Sequence, residues 1–257
     1  MKLERVYQYN FSQHAHQMYE REGREKKAKT MVAIMGDYYQ HDLKSLSLLD
    51  VGSSTGIISH YLSTYFGQVV GVDIDEGAVA FAKQSFDKEN LDFRLGDGLS
   101  LDFPDGHFDV VICSQIYEHV PDAHRLVAEI YRVLKPNGIC YFAATNRIKL
   151  IESHYNLPFL SIMPKSLANL YLRILKRGTY YYERHLSYWG LKNLVKSFEI
   201  IDYTKKVVEE PDLYHADYII PARSKTQKIS KFLIKYAYFL FPGYIWLLNK
   251  SDIHSNL

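Results

Sequence analysis

The chain has 257 residues, a length that suits one large α/β domain carrying an insertion. Hydrophobic residues make up 47% of the chain and charged residues 23%, while the formal net charge of +2 gives no indication of nucleic-acid binding. The first residues, MKLERVYQYNFSQHAH, contain no apolar segment and predict no signal peptide. Cys113 and Cys140 lie in apolar runs, so we expect buried, reduced thiols and a cytoplasmic protein.

The N-terminal part of the chain, residues 1–45, is predicted to be a helical segment. Within it, residues 13–41 are expected to form one helix, because a charged run is followed by an apolar stripe at Met31, Ile34 and Met35. From residue 46 to residue 146, short apolar runs alternate with helical patterns, and 135–138 (KPNG) has the composition of a turn. Such alternation predicts parallel β-α-β units with right-handed crossovers.

The pattern changes after residue 146. Residues 147–190 are rich in aromatic residues and leucine and show no clear strand-helix unit, so we expect a mostly helical cap insertion. Two further strands are predicted at 198–208 and 214–222. Residues 224–257 are taken as a basic, aromatic tail, helix-like over 224–250 and interrupted at Pro242-Gly243.

A loop of small residues, GSSTG, links the first predicted strand to a helix. Gly52 and Gly56 lack the Cβ atoms that would obstruct a ligand, and glycine tolerates positive φ. Ser53, Ser54 and Thr55 stand where free backbone N–H groups at a helix N-terminus can hold a carboxylate. On its own, this loop can equally be an ordinary turn capped by hydroxyl side chains.

Two aspartates follow the next two predicted strands. Asp73 ends the strand VVGVDI, about twenty residues downstream of the loop, where a carboxylate binds ribose hydroxyls in dinucleotide-binding folds. Asp97 follows the third strand in RLGDG, where it can accept a hydrogen bond from an adenine amino group. Either aspartate alone can be a strand-end cap, but both in register with the glycine loop favour a cofactor that contains a nucleoside.

These segments together resemble the class I S-adenosylmethionine-dependent methyltransferases, especially the group similar to ubiquinone/menaquinone methyltransferases. The resemblance is carried over residues 45–146 by LLDVGSSTG, VVGVDID, LGDGLSLDFPDGHFDVVICSQIYEHV and RVLKPNGICYFAATNR. The family loop often has glycine where this chain has Ser54, a small residue that we expect to leave binding intact. The resemblance implies a cofactor-binding methyltransferase domain at 46–223, with the cap inside it and S-adenosylmethionine as the cofactor.

The resemblance also implies which residues hold the cofactor. Around its methionine part it places Asp50, which also supports the loop, Gly52, Ser53, Ser54, Gly56, Ser114 and Gln115. Around its ribose and adenine it places Asp73, Ile74, Asp97 and Gly98. No metal is expected, because methyl transfer needs none and the sequence shows no compelling set of ligands.

An acceptor that bears a hydroxyl group also needs a general base. The candidates are His119 in YEHVPD and His154 in ESHYNLP, with His185 as a weaker one and Tyr117 as a wall or hydrogen-bond donor. His119 and His185 can also be structural.

The stretch that contains His154 resembles an acceptor-side segment of related methyltransferases. It would line the acceptor pocket, or join the insertion to the core, through Asn146, Arg147, Glu152 and His154. Aromatic residues near the N-terminus can close over the cofactor or simply anchor a helix; they are Tyr7, Tyr9, Phe11 and Tyr19.

The tail has no acidic residue between Arg223 and Lys250. Its internal lysines and Pro242-Gly243 argue against a membrane span. An interfacial helix in peripheral membrane contact and a helix packed on the insertion both remain open.

The sequence therefore predicts an α/β fold: a Rossmann-like seven-stranded, mostly parallel sheet with helices on both faces and a helical cap. The expected reaction is methyl transfer to oxygen or carbon of a small-molecule or lipid-linked acceptor, with no nucleic-acid partner. Two alternatives stay open: a non-catalytic S-adenosylmethionine-binding or scaffold protein, and a nucleotide-dependent oxidoreductase. The second is disfavoured because GSSTG lacks the G-x-G-x-x-G spacing.

Overall fold

A sheet of seven strands forms the centre of the computed structural model, which describes residues 7–14 and 16–251. Its strands are, in chain order, β1 (Ser47–Val51), β2 (Gln68–Asp73), β3 (Leu91–Leu95), β4 (Phe108–Ser114), β5 (Leu134–Thr145), β8 (Glu199–Asp202) and β9 (Gly243–Asn249). Their spatial order is β3-β2-β1-β4-β5-β9-β8. Neighbours from β3 to β5 pair in parallel, and β9 runs antiparallel to β5 and β8. The predicted seven-stranded, mostly parallel sheet is confirmed.

Helices cover both faces of this sheet. They are α1 (Phe11–His14), α2 (Arg21–Tyr39), α3 (Ile57–Leu62), α4 (Glu76–Ser85), α5 (Ala123–Val133), α6 (Lys165–Ile174), α7 (Tyr188–Leu194), α8 (Tyr203–Glu209) and α9 (Lys225–Tyr236). Alternate strand residues point to opposite faces. One core therefore joins Leu49 and Val111 to α5 and α7, and the other joins Leu48 and Val110 to α2 and α8.

The N-terminal helix is interrupted, contrary to the single helix predicted over 13–41. A 3₁₀ turn spans His16–Tyr19, and α2 begins only at Arg21. The break lies at Glu20, whose extended backbone (φ −77°, ψ 106°) lets its carboxylate accept a hydrogen bond from Gly23 N. Glu20 thus acts as the N-cap of α2, a role that requires it to leave the helix.

The predicted turn at 135–138 lies within β5 as a bulge. The β4–β5 register jumps from Phe108↔Leu134 to Val110↔Ile139, so the intervening β5 residues loop out of the pairing. Asn137 takes a left-handed φ of 60°, which asparagine tolerates better than most residues.

The cap insertion is not mostly helical, so that prediction was wrong. Within 147–190 the helical parts are α6, a 3₁₀ turn at Leu160–Ile162 and the start of α7. The remainder contains a short hairpin of β6 (Ile151–Glu152) and β7 (Leu157–Pro158) and an irregular stretch at 180–187. Polar side chains hold this backbone in place of helical hydrogen bonds; for example, Asn169 Oδ1 accepts from Tyr181 N.

The C-terminal region differs most from the prediction. The strand expected at 198–208 ends at Asp202, because the Asp202 carboxylate accepts from Thr204 N and starts α8. The strand expected at 214–222 is a series of turns. The helix-like tail is helical only as far as Tyr236, and β9 then inserts between β5 and β8. Its apolar run GYIWLLN is a strand buried on both faces, a pattern that periodicity does not separate from a buried helix.

Candidate functional site

A cavity of about 720 Å³ opens at the carboxyl ends of β1, β2 and β4. In open α/β sheets, ligands bind beside the point where strand order reverses, which here lies between β1 and β4. Ten of the eleven residues predicted to hold a cofactor line this cavity: Asp50, Gly52, Ser53, Ser54, Asp73, Ile74, Asp97, Gly98, Ser114 and Gln115.

The eleventh residue, Gly56, does not line the cavity. It begins α3 with a φ of 76°, and a Cβ atom built there would lie 2.6 Å from the Phe93 ring. Gly52 has a φ of 77°, and a Cβ atom there would lie 2.3 Å from Ile116 Cδ1. Both glycines are therefore required by the backbone conformation and by close packing. Of the two, only Gly52 lines the cavity.

The backbone of this loop is already hydrogen-bonded, which corrects the expectation of free N–H groups at Ser53 and Ser54. Gly52 N and Ser53 N both donate to Val72 O, at 2.8 and 3.1 Å, and Ser54 N donates to Asp73 Oδ2 at 2.7 Å. The last bond holds Ser54 at a left-handed φ of 51°. A ligand carboxylate must therefore find another partner than these N–H groups.

Arg24 offers that partner, and the sequence analysis missed it. Its side chain reaches from α2 to the cavity, where the carboxylates of Asp50 and Asp73 interact with its charge. Its Nε atom is buried and has no hydrogen-bond partner among the described residues. The only sequence signal was its place in a charged run, where an arginine facing inward looks like its solvent-exposed neighbours.

Asp50 and Asp73 are acidic groups held in buried surroundings. Asp50 accepts a 2.6 Å hydrogen bond from Ser59 Oγ, and burial raises the pKa of Asp50 to about 6 although Ser59 and Arg24 act in the opposite direction. Burial also raises the pKa of Asp73, whose Oδ1 accepts from Asp75 N at 2.9 Å. A cationic or hydrogen-bonding ligand would favour the ionised form of both carboxylates.

Two more of the residues predicted to hold the cofactor are oriented by short hydrogen bonds. Asp97 Oδ1 accepts from Leu99 N at 3.0 Å, which orients the carboxylate at the cavity rim. Gln115, with a left-handed φ of 60°, accepts a 2.6 Å hydrogen bond from Thr145 Oγ1. The polar ends of both side chains are thus set before any ligand arrives.

His154 and His119 lie together at the cap side of the cavity. Their rings meet edge to face, with centroids 4.8 Å apart. His154 Nδ1 lies 2.6 Å from Glu152 Oε1, and His185 Nε2 lies 3.4 Å from the same oxygen. The other oxygen of Glu152 accepts from the backbone N–H groups of His154 and Tyr155.

The pKa values of the two cavity histidines are shifted in opposite directions. Burial, reinforced by the neighbouring imidazoles, lowers the pKa of His119 to about 3. Burial acts in the same direction on His154, but its hydrogen bond to Glu152 and the nearby carboxylates outweigh it and raise the pKa of His154. Glu152 accordingly has a lowered pKa, because the two imidazoles outweigh the effect of its burial.

Two further carboxylates stand beside these histidines, and the sequence analysis did not single them out. Glu118 and Glu183 are buried; the Glu118 carboxylate has no hydrogen-bond partner among the described residues, and the Tyr7 hydroxyl is the neighbour of Glu183. Burial raises the pKa of both. Glu118 directly precedes His119 in the sequence, and Glu183 lies two residues before His185. Nothing in the sequence shows that these side chains converge.

Three residues proposed for the acceptor side form structural hydrogen bonds instead: Tyr117 and Asn146 join the cap and the tail to the core, and Arg147 binds within the cap. Tyr117 does not line the cavity; its hydroxyl donates to Thr145 O at 2.6 Å and accepts from Leu186 N. Asn146 Nδ2 donates to Phe239 O, Phe241 O and Tyr244 Oη. The Arg147 guanidinium donates to carbonyl groups of residues 161–162.

The N-terminal aromatic residues divide into two pairs. Tyr7 and Phe11 line the cavity, and the Phe11 ring lies 5.3 Å from that of His119. Tyr9 is exposed, and Tyr19 packs on Phe81 at the surface.

The cavity also extends along one face of the sheet, away from the polar residues. Its walls there are mostly apolar and come from α2, β4, β5, α8 and β9: Met31, Ile112, Tyr141, Ala143, Val207 and Ile245. The cavity therefore joins a polar compartment, which suits a nucleoside, to an apolar one, which suits a hydrocarbon group.

The known proteins to which this chain is similar include methyltransferases. Residues 49–142 match the family model of a methyltransferase domain. The chain is 33% identical over 158 residues to a demethylmenaquinone methyltransferase of Lactococcus lactis, with 58% of this chain and 60% of that protein covered. It is 32% identical over 110 residues to a ubiquinone biosynthesis O-methyltransferase of Coxiella burnetii, with 42% and 47% covered. The chain thus spans about half to three fifths of the length of these relatives.

A solved structure shows the same fold. The S-adenosylmethionine-dependent methyltransferase of Mesorhizobium loti superposes with a TM-score of 0.54 at 15% identity, covering 81% of this chain and 93% of that one. At this identity the likeness concerns the fold alone.

Proposed function

We propose that the protein uses S-adenosylmethionine to methylate a small-molecule or lipid-linked acceptor; the match of residues 49–142 to a methyltransferase domain and the similarity to quinone-related methyltransferases support this. The methyl group would come from S-adenosylmethionine and pass to oxygen or carbon. The observation that carries the proposal is the polar compartment of the cavity, where acidic side chains stand at three successive strand ends beside the half-buried Arg24.

The residues of that compartment fit the cofactor. Arg24 would hold the carboxylate of the methionine part, and Asp50 its amino group. Asp73 would hold the ribose hydroxyls, since each of its oxygens has spare capacity beyond one backbone hydrogen bond. Asp97 would hold the adenine edge. Gly52 allows the backbone at the cavity wall to take a φ of 77° and to pack against Ile116.

The bound cofactor supplies a methyl group that its sulfonium already activates. The remaining task of the chain is to align the acceptor and to exclude water. Tyr7 and Phe11 from the N-terminal segment close the cap side of the cavity, and their ring faces suit a cationic sulfonium.

His154 is the residue that we propose takes the proton from a hydroxyl acceptor. Glu152 is bonded to its Nδ1, which fixes the ring and leaves Nε2 as the nitrogen that can receive a proton. His119 lines the same wall and stays the second candidate. Tyr117 is proposed as a positioning residue, because its hydroxyl ties the cap to β5 instead of facing the cavity.

The apolar compartment supports an acceptor with a hydrocarbon part. A hydroxylated or quinone-like ring near His154 can place an attached apolar chain along the Ile112 and Val207 walls. The names of the two relatives, menaquinone and ubiquinone enzymes, agree with an acceptor of this kind.

We also propose that α9 touches a membrane surface. One side of α9 packs on the core, and the other exposes Ile229, Phe232 and Tyr236 among lysines. Exposed aromatic residues with basic neighbours bind the interface of an anionic bilayer. Among the described residues, no helix has the length and apolarity needed to cross a membrane.

Isothermal titration calorimetry with S-adenosylmethionine, S-adenosylhomocysteine and NAD tests the cofactor. We expect the first two to bind at one site per chain and NAD to give no heat. Binding of NAD without S-adenosylmethionine would support the oxidoreductase alternative instead. Formation of S-adenosylhomocysteine on addition of cell extract then separates an enzyme from a scaffold, which would bind the cofactor without consuming it.

A further inference from the structure

Six ionisable side chains meet in a buried cluster between the cavity and the cap. Three are imidazoles and three are carboxylates: His119, His154, His185, Glu118, Glu152 and Glu183. They come from two parts of the chain, the loop after β4 and the cap insertion, so only the folded protein brings them together. Proton removal by His154 directly uses two of the six, His154 and Glu152.

We propose that His119, His154 and Glu183 bind a first-row divalent metal ion, for which Zn²⁺ is the best-fitting example. Imidazole nitrogens and a carboxylate oxygen are ligands that Zn²⁺ prefers, and two histidines with one glutamate are a known catalytic zinc set. This site goes beyond the proposed methyl transfer, which requires no metal.

The spacing of the ligand atoms supports this site. One ligand atom from each residue lies within 4.8 Å of the other two, and His119 Nδ1 lies 3.9 Å from Glu183 Oε1. Ligands about 2.1 Å from a tetrahedral ion lie about 3.4 Å apart. Small side-chain rotations would therefore bring the three atoms onto one ion.

Buried polar atoms at two of the three proposed ligands also support a metal ion. The Glu183 side chain is fully buried, and the Tyr7 hydroxyl is its hydrogen-bonding neighbour, while no N–H group among the described residues donates to either carboxylate oxygen. His119 Nδ1 is buried and has no hydrogen-bond partner within the described part of the chain. Buried polar atoms without partners are rare in folded proteins, because each such atom has lost its water without gaining a replacement. A bound metal ion would satisfy the lone pairs of both residues at once.

Glu152 gives His154 the orientation that a ligand needs. Metal-bound histidines usually donate the N–H of their other ring nitrogen to a carboxylate, a backbone carbonyl or water, which fixes the ring and its tautomer. The 2.6 Å contact between His154 Nδ1 and Glu152 Oε1 has this form and leaves Nε2 for an ion. His185, on the other side of Glu152, helps to hold that carboxylate in place.

The ion and a proton compete for the same lone pair. A metal ion on His154 Nε2 prevents that nitrogen from accepting a proton. If His154 is the base, as in the proposed function on which this consequence rests, bound Zn²⁺ inhibits methyl transfer to a hydroxyl. Because His119 and His154 both line the cavity, an ion there would be accessible from the acceptor side.

Titration of the full chain, without a histidine tag, with ZnCl₂ in a calorimeter tests the site. We expect one Zn²⁺ per chain, and MgCl₂ to bind at least tenfold more weakly because Mg²⁺ prefers oxygen ligands. Glu183→Gln should weaken Zn²⁺ binding at least tenfold while it preserves the shape of the side chain. His124→Ala, which removes an exposed histidine on α5, should leave the affinity unchanged.

Circular dichroism and S-adenosylmethionine binding on the same samples show whether each variant is folded. His119→Asn serves as a second variant if Glu183→Gln does not fold, and it should also lose at least tenfold in affinity. Absence of one-to-one Zn²⁺ binding by the natural chain, or equal affinity in the folded variants, overturns the metal site. Loss of S-adenosylmethionine binding alone would instead count against the proposed function.

Discussion

Asp73 has two tasks at the residue scale: it holds Ser54 of the loop, and it faces the cavity. Asp73→Asn keeps an oxygen for one backbone hydrogen bond but loses the charge that would meet the ribose hydroxyls. Charge-assisted hydrogen bonds contribute about 1.5–3 kcal/mol, so S-adenosylmethionine affinity should fall about tenfold or more. Calorimetry measures the change. Asp87→Asn, at an exposed position, is the matched control, and equal affinity in both variants would remove Asp73 from the site.

We expect Asp50 to make cofactor binding dependent on pH. Its pKa is raised to about 6 by burial, with Ser59, Arg24 and Asp73 as the groups around it. An ionised Asp50 is needed to hold an ammonium group, so affinity should be constant above pH 7 and fall as pH drops through about 6.

The folding stability of the cofactor-free protein should depend on pH in the opposite direction to cofactor affinity. A carboxyl group with a raised pKa contributes stability at low pH that is lost as pH rises through about 6. Asp50→Asn should bind S-adenosylmethionine more weakly, with less change between pH 5 and 7 than the natural chain. Parallel pH profiles for the two proteins would show that another group is responsible.

His154 is expected to matter for turnover and not for cofactor affinity. Loss of a general base typically costs about 10²–10⁴ in rate, so His154→Ala should lose that much activity on a hydroxyl acceptor. S-adenosylmethionine should bind this variant as it binds the natural chain. His124→Ala is again the matched control, and full activity in His154→Ala would make His154 a structural residue.

At the scale of elements, β9 is central to the stability of the sheet, although it comes last in the chain. Trp246 on β9 is 1% exposed and stacks near Phe142 of β5, with ring centroids 6.3 Å apart. Trp246→Ala should lower the free energy of unfolding by about 3–5 kcal/mol through lost burial and the cavity left behind.

The chain has a second tryptophan as a matched control for that measurement. Trp189 is 61% exposed, and Trp189→Ala should change the free energy of unfolding by about 0.5 kcal/mol or less. Urea titration followed by far-ultraviolet circular dichroism compares the two variants. Equal stability would mean that β9 is not held as tightly as its hydrogen bonds to β5 and β8 indicate.

At the scale of the whole molecule, α9 is the surface that we propose for contact with an anionic membrane. Phe232 and Tyr236 are 60% and 64% exposed, and basic residues near a lipid surface contribute about 1 kcal/mol each. The protein should therefore co-sediment with anionic vesicles, and high salt should release part of it.

Substitution of that surface tests the contact better than truncation, which would remove β9 from the sheet. The double variant Phe232→Ser with Tyr236→Ser should pellet less than the natural chain. Leu95→Ser, at an equally exposed apolar position on β3, should pellet as the natural chain does. If the double variant pellets with vesicles as well as the natural chain does, α9 is not the membrane surface.

The sequence by itself determined what depends on neighbours along the chain. The β-α-β alternation over 46–146 predicted the parallel strands, and the loop with Asp73 and Asp97 marked one end of them. Both follow from local patterns, because carboxyl ends of parallel strands share one edge of a sheet. The position of β9 in the sheet could not be predicted in this way. A strand that is buried on both faces shows no alternation of apolar and polar residues, so its sequence does not identify it as a strand.

Only the tertiary structure decided which distant side chains meet. Arg24 reaches the cavity from α2, and Glu183 meets His119 from the cap, although 64 positions separate these two residues (183 − 119). Tyr117 and Asn146, which the sequence placed beside an acceptor, instead satisfy backbone groups of the cap and the tail. Convergence of this kind depends on how the insertion and the N-terminal helix pack, and local spacing in a sequence carries no record of that packing.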